Sequence, residues 1–196
     1  ALPAAVAIGL LACAQGALGS IHVDQVLSRP DTRSIARKWM VGHIPRGSKV
    51  VVEPGVVPEA WLRQLSRGTE GRLKKRRWEI WQNLQWKKTG FRIDEFPAVL
   101  SPHVIDRYAT WGYCWVVTSS TQRGRVERQP DRAPDAIAYY HALVIRSKLA
   151  FRASPWKEGA APVPFSFDDS FDYLPSAYER PGPVISIYHL KGGSCG

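Results

Sequence analysis

The sequence predicts an α/β domain with a small mixed sheet, flanked by helices and preceded by the end of a transmembrane helix. Three observations support this prediction. Residues 1–18 form an uncharged apolar run. Residues 31–54 follow the order helix, tight turn, buried strand, which is half of an α/β unit. Residues 148–153 and 183–190 alternate in polarity like half-buried strands. We therefore expect parallel inner strands and an antiparallel C-terminal pair.

The apolar run at residues 1–18 predicts a membrane helix. Gln15 is its one strongly polar residue. A transmembrane helix needs about 20 apolar residues, so the run is slightly short and fits a helix that begins upstream of Ala1. The chain then divides into the end of the last transmembrane helix (residues 1–19), a juxtamembrane linker (20–30) and the α/β domain (31–196).

Other interpretations of the same run stay open. Residues 10–13, Leu-Leu-Ala-Cys, are similar to the box that precedes a lipidated cysteine, and a secretory signal also has an apolar core. Both normally follow a basic region, and none precedes the run here, so the membrane helix is preferred. A buried core helix, for which about 10–14 apolar residues suffice, ranks third.

Helix and strand signals recur along the domain. Asp31 is a suitable helix N-cap, and Ile35, Trp39 and Met40 give the helix an apolar face that ends before Pro45. The remaining predicted elements are a strand at residues 49–54, a short helix at 58–65, a helix from Ser101, a strand at 113–118 and a helix from Ala133.

The formal net charge is +10, which favours anionic partners such as lipid headgroups, phosphorylated substrates or nucleic acid. Basic residues beside a membrane helix usually indicate the cytoplasmic side. That rule is counted over short loops, however, and long domains translocate largely regardless of their charge. The charge therefore does not decide on which side of the membrane the domain lies.

Basic residues interleaved with tryptophans mark one segment. Such residues suit a bilayer interface, or they can stack bases and neutralise phosphates. A solvated helix whose tryptophans face the core is the third interpretation. The apolar run upstream favours the interface over nucleic acid, for which no module signature is present. The proposed lipid or anion contacts are Arg72, Lys74, Lys75, Arg76, Arg77, Trp78, Trp81, Trp86, Lys87 and Lys88, with Trp78, Trp81 and, less regularly, Trp86 on one side of a helix.

The residues show no self-contained active site. Asp168, Asp169 and Asp172 are weak candidates for a cation site, but they lack the spacing of a calcium loop and suit a structural loop better. No histidine shares a short metal-ligand spacing with a cysteine or another histidine. The hydroxyls at residues 119–121 end a strand, where α/β proteins often bind ligands, yet nothing marks a base that would activate them. We therefore expect no catalytic residue, metal or cofactor in this chain.

Three cysteines occur, and their pairing is open at this stage. Cys13 lies in the apolar run, whereas Cys114 and Cys195 lie in the domain. Cys114 and Cys195 can pair in an oxidising compartment, or they can be two unrelated thiols.

The domain resembles the region after the last membrane helix of actinobacterial GT-C-type glycosyltransferases, the group that includes the family 39 and protein O-mannosyltransferase-like enzymes. The likeness spans nearly the whole domain. It rests on Pro30, Asp31, Thr32, Arg33, Ala36, Trp39, Ile44, Pro45, Gly47, residues 50–54, residues 112–117, residues 164–168, residues 171–173, Tyr178, residues 180–183 and Tyr188.

The resemblance implies a multi-pass membrane enzyme that transfers a sugar from a polyprenyl-phosphate carrier to a glycan or protein acceptor outside the cytoplasm. The catalytic acids of such enzymes lie in an early loop that this chain does not contain, and a divalent cation is compatible with the full-length enzyme. The domain would then be accessory, recognising the acceptor or the lipid phosphate. The alternative is a membrane-anchored or lipoprotein binding module without catalytic activity.

The resemblance also places the domain in an oxidising compartment, where Cys114 and Cys195 can pair. If the last strand runs antiparallel to the strand that contains Cys114, its end lies near the start of that strand. We therefore expect a Cys114–Cys195 disulfide.

Overall fold

The computed structural model describes residues 2–53, 78–81, 100–166 and 174–195. Five α-helices and five strands lie in these ranges, with 3-10 turns at Pro130–Arg132 and Gly193–Cys195. The elements are α1 (Leu2–Leu27), α2 (Thr32–His43), β1 (Lys49–Val52), β2 (Glu79–Trp81), α3 (Pro102–Thr110), β3 (Trp115–Ser119), α4 (Ser120–Arg128), α5 (Pro134–Arg146), β4 (Ser147–Ala153) and β5 (Ile185–Leu190).

The strands form one mixed sheet in the order β2-β1-β3-β5-β4. Strand β1 is parallel to both of its neighbours, with Val51 opposite Val116 on β3. Strand β5 is antiparallel to β3 and β4. The predicted fold class, a mixed sheet with parallel inner strands and an antiparallel C-terminal pair, is confirmed.

Helices cover both faces of the sheet. Helix α2 packs through Ala36 and Met40 against one face, with Val50 and Ile187 beneath it. Helices α3, α4 and α5 cover the other face, where the core includes Val51, Ile105, Tyr108, Val116, Val126, Tyr139, Leu143 and Tyr188. Each large apolar side chain buried in these two layers contributes about 1.5–3 kcal/mol to folding.

Helix α2 begins and ends where its sequence signals predict. The Asp31 side chain accepts a hydrogen bond from the Arg33 backbone N–H at 2.7 Å, which satisfies one of the otherwise free donors of the first turn. The helix ends at Ile44, and Pro45 and the positive φ of Gly47 turn the chain into β1.

Helix α1 is longer than the apolar run and continues without a break through Leu27. The predicted boundary at Gly19 falls inside it, and residues 20–27 of the predicted linker are helical. Charged and polar residues such as Asp24 end the apolar run without breaking a helix, whereas Pro30 restricts the residue before it and ends the helical stretch. Among the residues that the structure describes with their side chains, no helix is long and apolar enough to cross a membrane. The membrane assignment stays a prediction.

The last turns of α1 are attached to the domain. Val26 is buried, His22 Nε2 donates to the Pro175 carbonyl at 3.1 Å, and Arg29 pairs with Glu179 at 2.9 Å. This end of the helix therefore has a fixed position against the loop before β5.

Candidate functional site: a cleft at the carboxyl edge of the sheet

The carboxyl ends of β1 and β3 meet at a topological switch point. Strand β2, the next strand along the chain, lies on one side of β1, and β3, which follows β2 in sequence, lies on the other side of β1. In open α/β sheets, ligands bind in the crevice outside the carboxyl ends of the strands at such a point. Here Glu53 directly follows β1, and Ser119 is the last residue of β3.

A cleft of about 1000 Å³ lies at this edge of the sheet. Strands β3, β4 and β5 and helix α4 contribute one wall, and the proline-rich loop before β5 contributes the other, with the end of α1 and the start of α2 beside it. Among the lining side chains are Val23, Leu27, Asp31, Arg33, Thr118, Ser119, Ser120, Thr121, Arg123, Glu127, Arg152, Trp156, Phe165, Tyr178, Ser186 and Tyr188.

Three backbone N–H groups of the turn from β3 into α4 already have acceptors within the protein. The Ser119 N–H donates to Glu53 Oε2 at 3.1 Å, the Ser120 N–H to the Val184 carbonyl at 2.9 Å, and the Thr121 N–H to Ser119 Oγ at 3.1 Å. A helix N-terminus that follows a strand often binds an anion through such groups. These three donors are already occupied, so a ligand here must be held by side chains.

Glu53 is completely buried beneath this turn. Desolvation raises the pKa of its carboxyl to about 8, although the Ser119 N–H, the Tyr140 hydroxyl and the charge of Arg123 each lower it. The group is therefore mostly protonated at neutral pH. Among the described residues, Oε1 and the Tyr140 hydroxyl have no partner at strict hydrogen-bond geometry. The Tyr140 hydroxyl is thus a polar neighbour of the carboxyl.

Arg123 connects the surroundings of Glu53 with the cleft. Its Nε donates to Glu127 Oε1 at 2.7 Å, and its guanidinium carbon lies 5.8 Å from the centre of the Tyr140 ring. Both Arg123 and Glu127 line the cleft. Their pairing leaves little net charge on this part of the wall.

Helix α4 also holds the loop wall in place. Gly124 is buried against Phe165, and a Cβ at position 124 would lie 2.6 Å from the Phe165 Cβ. Arg128 Nε donates to the Phe165 carbonyl at 2.9 Å. Only a glycine allows this close approach.

The start of α2 holds the other end of the loop. The Thr32 N–H donates to the Pro181 carbonyl at 3.0 Å, and Thr32 Oγ1 donates to the Pro183 carbonyl at 2.6 Å. Gly182 between them has φ +102, and a Cβ there would overlap Thr32 Oγ1. Trp156 and Tyr178 form an antiparallel bridge within the loop wall.

The lipid-contact prediction for Trp78 is wrong. Its side chain is 1% exposed and packs in the core beneath α2, and Nε1 donates to the Ile44 carbonyl at 3.4 Å. The predicted shared helix side with Trp81 is also absent, because Glu79–Trp81 pairs with β1 as a strand. The other members of that set, Arg72, Lys74, Lys75, Arg76, Arg77, Trp86, Lys87 and Lys88, lie outside the described residues, as do Asp168, Asp169 and Asp172.

Cys114 and Cys195 form a disulfide with their Cα atoms 5.2 Å apart, which joins the start of β3 to the turn after β5. Cys13 is a free, exposed thiol. Within the described ranges, no three histidine, cysteine or acidic side chains come together as a group that could hold a metal ion.

Glu53 and the cleft around Arg152 and Trp156 were not predicted as a site. A lone glutamate directly after a buried strand was the signal available for Glu53. Comparison with known proteins found no matching family model, no similar curated protein and no similar solved structure.

Proposed function

We propose that this chain is the C-terminal extracytoplasmic domain of a polytopic membrane glycosyltransferase that uses a polyprenyl-phosphate-linked sugar donor. In this proposal the domain is accessory and recognises the glycan of the acceptor in the cleft. The observation that supports this role best is the mixture of hydrogen-bonding and aromatic side chains around one cleft at the sheet's switch point.

The chemistry of the cleft suits a sugar. Sugar hydroxyls both donate and accept hydrogen bonds, and the cleft offers serine, threonine and tyrosine hydroxyls that do the same. The apolar C–H face of a sugar ring packs on an aromatic side chain, and Trp156 and Tyr178 provide such surfaces. A few polar groups among apolar walls are typical of small-molecule sites.

The position of α1 also supports the proposal. Val23 and Leu27, in the last turns of this helix, line the cleft. If α1 is the end of the last membrane helix, a ligand in the cleft is held close to the membrane surface. A lipid-linked donor would be at the same surface.

The disulfide is consistent with an extracytoplasmic domain, since disulfides form and persist in oxidising compartments. An accessory role is consistent with the hydroxyls at the end of β3. Ser119 Oγ accepts the Thr121 N–H, and Ser120 Oγ accepts the Val184 N–H at 3.0 Å, so both hydroxyls have structural partners. Glu53 is too deeply buried to contact a ligand directly.

Sugar transfer by the full-length protein, with and without this domain, tests the proposal. We expect that removing the domain weakens apparent acceptor affinity, and that the isolated chain transfers no sugar. Transfer by the isolated chain would contradict the accessory role. A gene that encodes no further membrane helices upstream would instead favour the anchored or lipidated binding module.

A further inference from the structure

Several hydrogen-bond donors of the cleft have no acceptor among the described residues. Ser119 Oγ and Ser120 Oγ each already accept a backbone N–H, as described above. A hydroxyl has one hydrogen to donate, and neither serine hydroxyl donates it to a described residue. Ser120 lines the cleft and is partly exposed, so it can offer this hydrogen to a ligand, whereas Ser119 is buried beneath it.

Two further side chains in the cleft can only donate. Trp156 Nε1 is buried and has no hydrogen-bond partner among the described residues. Arg152, on strand β4, lines the cleft without an ion pair to any described residue. An indole N–H and a guanidinium have no acceptor atom, so both require oxygen-rich partners.

The two carboxylates that line the cleft in the described part of the chain already have partners. Asp31 binds Arg33 through the backbone N–H and the guanidinium, and Glu127 accepts from Arg123. Of the three arginines that line the cleft in the described ranges, Arg152 is the one without an ion pair to a described residue. Six backbone carbonyls of the walls also accept from protein donors, namely those of Pro155, Phe165, Pro175, Pro181, Pro183 and Val184.

We propose that the cleft binds an acidic saccharide, meaning a sugar with one carboxylate or phosphate group. Arg152 would neutralise that group, while Trp156 and the Ser120 hydroxyl would donate to it and to neighbouring sugar oxygens. This inference rests on the proposed role of the cleft as a glycan site, and it specifies the charge of the glycan. Hydrogen bonds to a charged partner are the stronger ones, so the anionic group contributes much of the discrimination.

Titration of the complete 196-residue chain in neutral detergent tests this. The probes are D-glucuronate, D-glucose 6-phosphate, D-glucose and inorganic phosphate, with binding measured by calorimetry or by ligand-observed NMR. We expect at least one acidic sugar to bind about tenfold or more tightly than glucose, because a hydrogen bond to a charged group is lost with the neutral sugar. The preferred acidic sugar distinguishes a carboxylate ligand from a phosphate ligand.

Variants locate the site. Arg152→Ala should remove the preference for the acidic sugar, and Trp156→Phe, which keeps the ring but not the N–H, should weaken binding of the acidic sugar. Lys148→Ala is the matched control, because Lys148 is an exposed cation on the same strand that does not line the cleft. Far-ultraviolet circular dichroism confirms that each variant is folded.

Equal binding of glucose and both acidic sugars would overturn the proposal, as would no binding of any sugar or an unchanged preference in Arg152→Ala. Inorganic phosphate that binds as tightly as the acidic sugars would show an anion site without saccharide recognition. The two proposals can fail separately. If the full-length protein transfers no sugar while this chain still prefers the acidic sugar, the glycosyltransferase assignment fails and the acidic-saccharide site stands.

Discussion

The Glu53 carboxyl accepts the Ser119 backbone N–H at 3.1 Å and so ties together the ends of two adjacent parallel strands. The carboxyl is fully buried, and desolvation raises its pKa to about 8. It therefore stays mostly protonated at neutral pH and supports the floor of the cleft as a neutral group.

Glu53 should make stability fall as the pH rises. Its folded pKa, about 8, is above the ordinary value of 4.5, so between these values the folded state holds a proton that the unfolded state has lost. The contribution of this proton to the free energy of unfolding is fully present below the ordinary pKa of 4.5 and is lost as the pH rises to the folded pKa of about 8. Between these two values the free energy of unfolding falls by about 1 kcal/mol per pH unit. Denaturant unfolding of the wild type and Glu53→Gln from pH 5 to about 8 measures this slope. Glutamine keeps an acceptor for Ser119, so the variant should lose the slope but not the fold. Parallel pH dependences would refute the assignment.

Gly124→Ala should destabilise the domain even though alanine favours helices. The new methyl group would overlap Phe165, whose backbone is held by Arg128. Overpacking of this kind costs about 1–3 kcal/mol, more than the gain of about 1 kcal/mol in helix propensity. Gly42→Ala in α2 is the control, since nothing lies within 4 Å of its added Cβ. Thermal or denaturant unfolding should show a loss for position 124 and no loss for position 42, and the same sign at both positions would contradict the close contact.

Thr32→Val should loosen the loop wall. The substitution keeps the shape of this fully buried side chain but removes its hydrogen bond to the Pro183 carbonyl. We expect a loss of about 1–3 kcal/mol in unfolding free energy, because a partly buried carbonyl loses its donor. Hydrogen exchange should also become faster at the Val184 amide. Unchanged exchange and stability would mean that the loop is held without this contact.

Reduction of the Cys114–Cys195 disulfide should destabilise the folded chain by about 2–4 kcal/mol, since it releases a loop spanning 81 residues of sequence. Unfolding of the Cys114→Ser/Cys195→Ser variant measures this loss, with Cys13→Ser as the control. Mass spectrometry of unreduced peptides that finds both thiols free would disprove the pairing.

The sequence predicted those elements whose signals are local. Asp31 and Pro45 delimit α2. The alternating residues of β5 face two different layers, with Ile187 on one side of the sheet and Tyr188 on the other. Helix α4 was missed, because Val126 is its one large apolar residue and the helix buries Gln122 and Gly124 as well. Its position depends on its contact with Phe165, which is distant in sequence, and on packing against β3, which leaves no periodic apolar pattern in the helix.

Trp78 and Glu53 also have positions that a local sequence pattern does not predict. Three-residue spacing of Trp78 and Trp81 indicates a helix side, but pairing of Glu79–Trp81 with β1 makes this segment a strand and buries Trp78. A single glutamate after a strand has no spacing pattern, so its role becomes visible only when Ser119 is brought next to it. The cleft itself combines residues from both ends of the domain, which no local pattern predicts.

Initial rates of sugar transfer at varied acceptor concentration measure whether the cleft recognises the acceptor. The full-length protein is compared with its Arg152→Ala and Lys148→Ala variants. We predict that Arg152→Ala raises the KM for the acceptor about tenfold with kcat little changed, as expected when ground-state binding is lost, and that Lys148→Ala behaves as the wild type. An unchanged KM in Arg152→Ala, or an equal effect of both variants, would contradict the account.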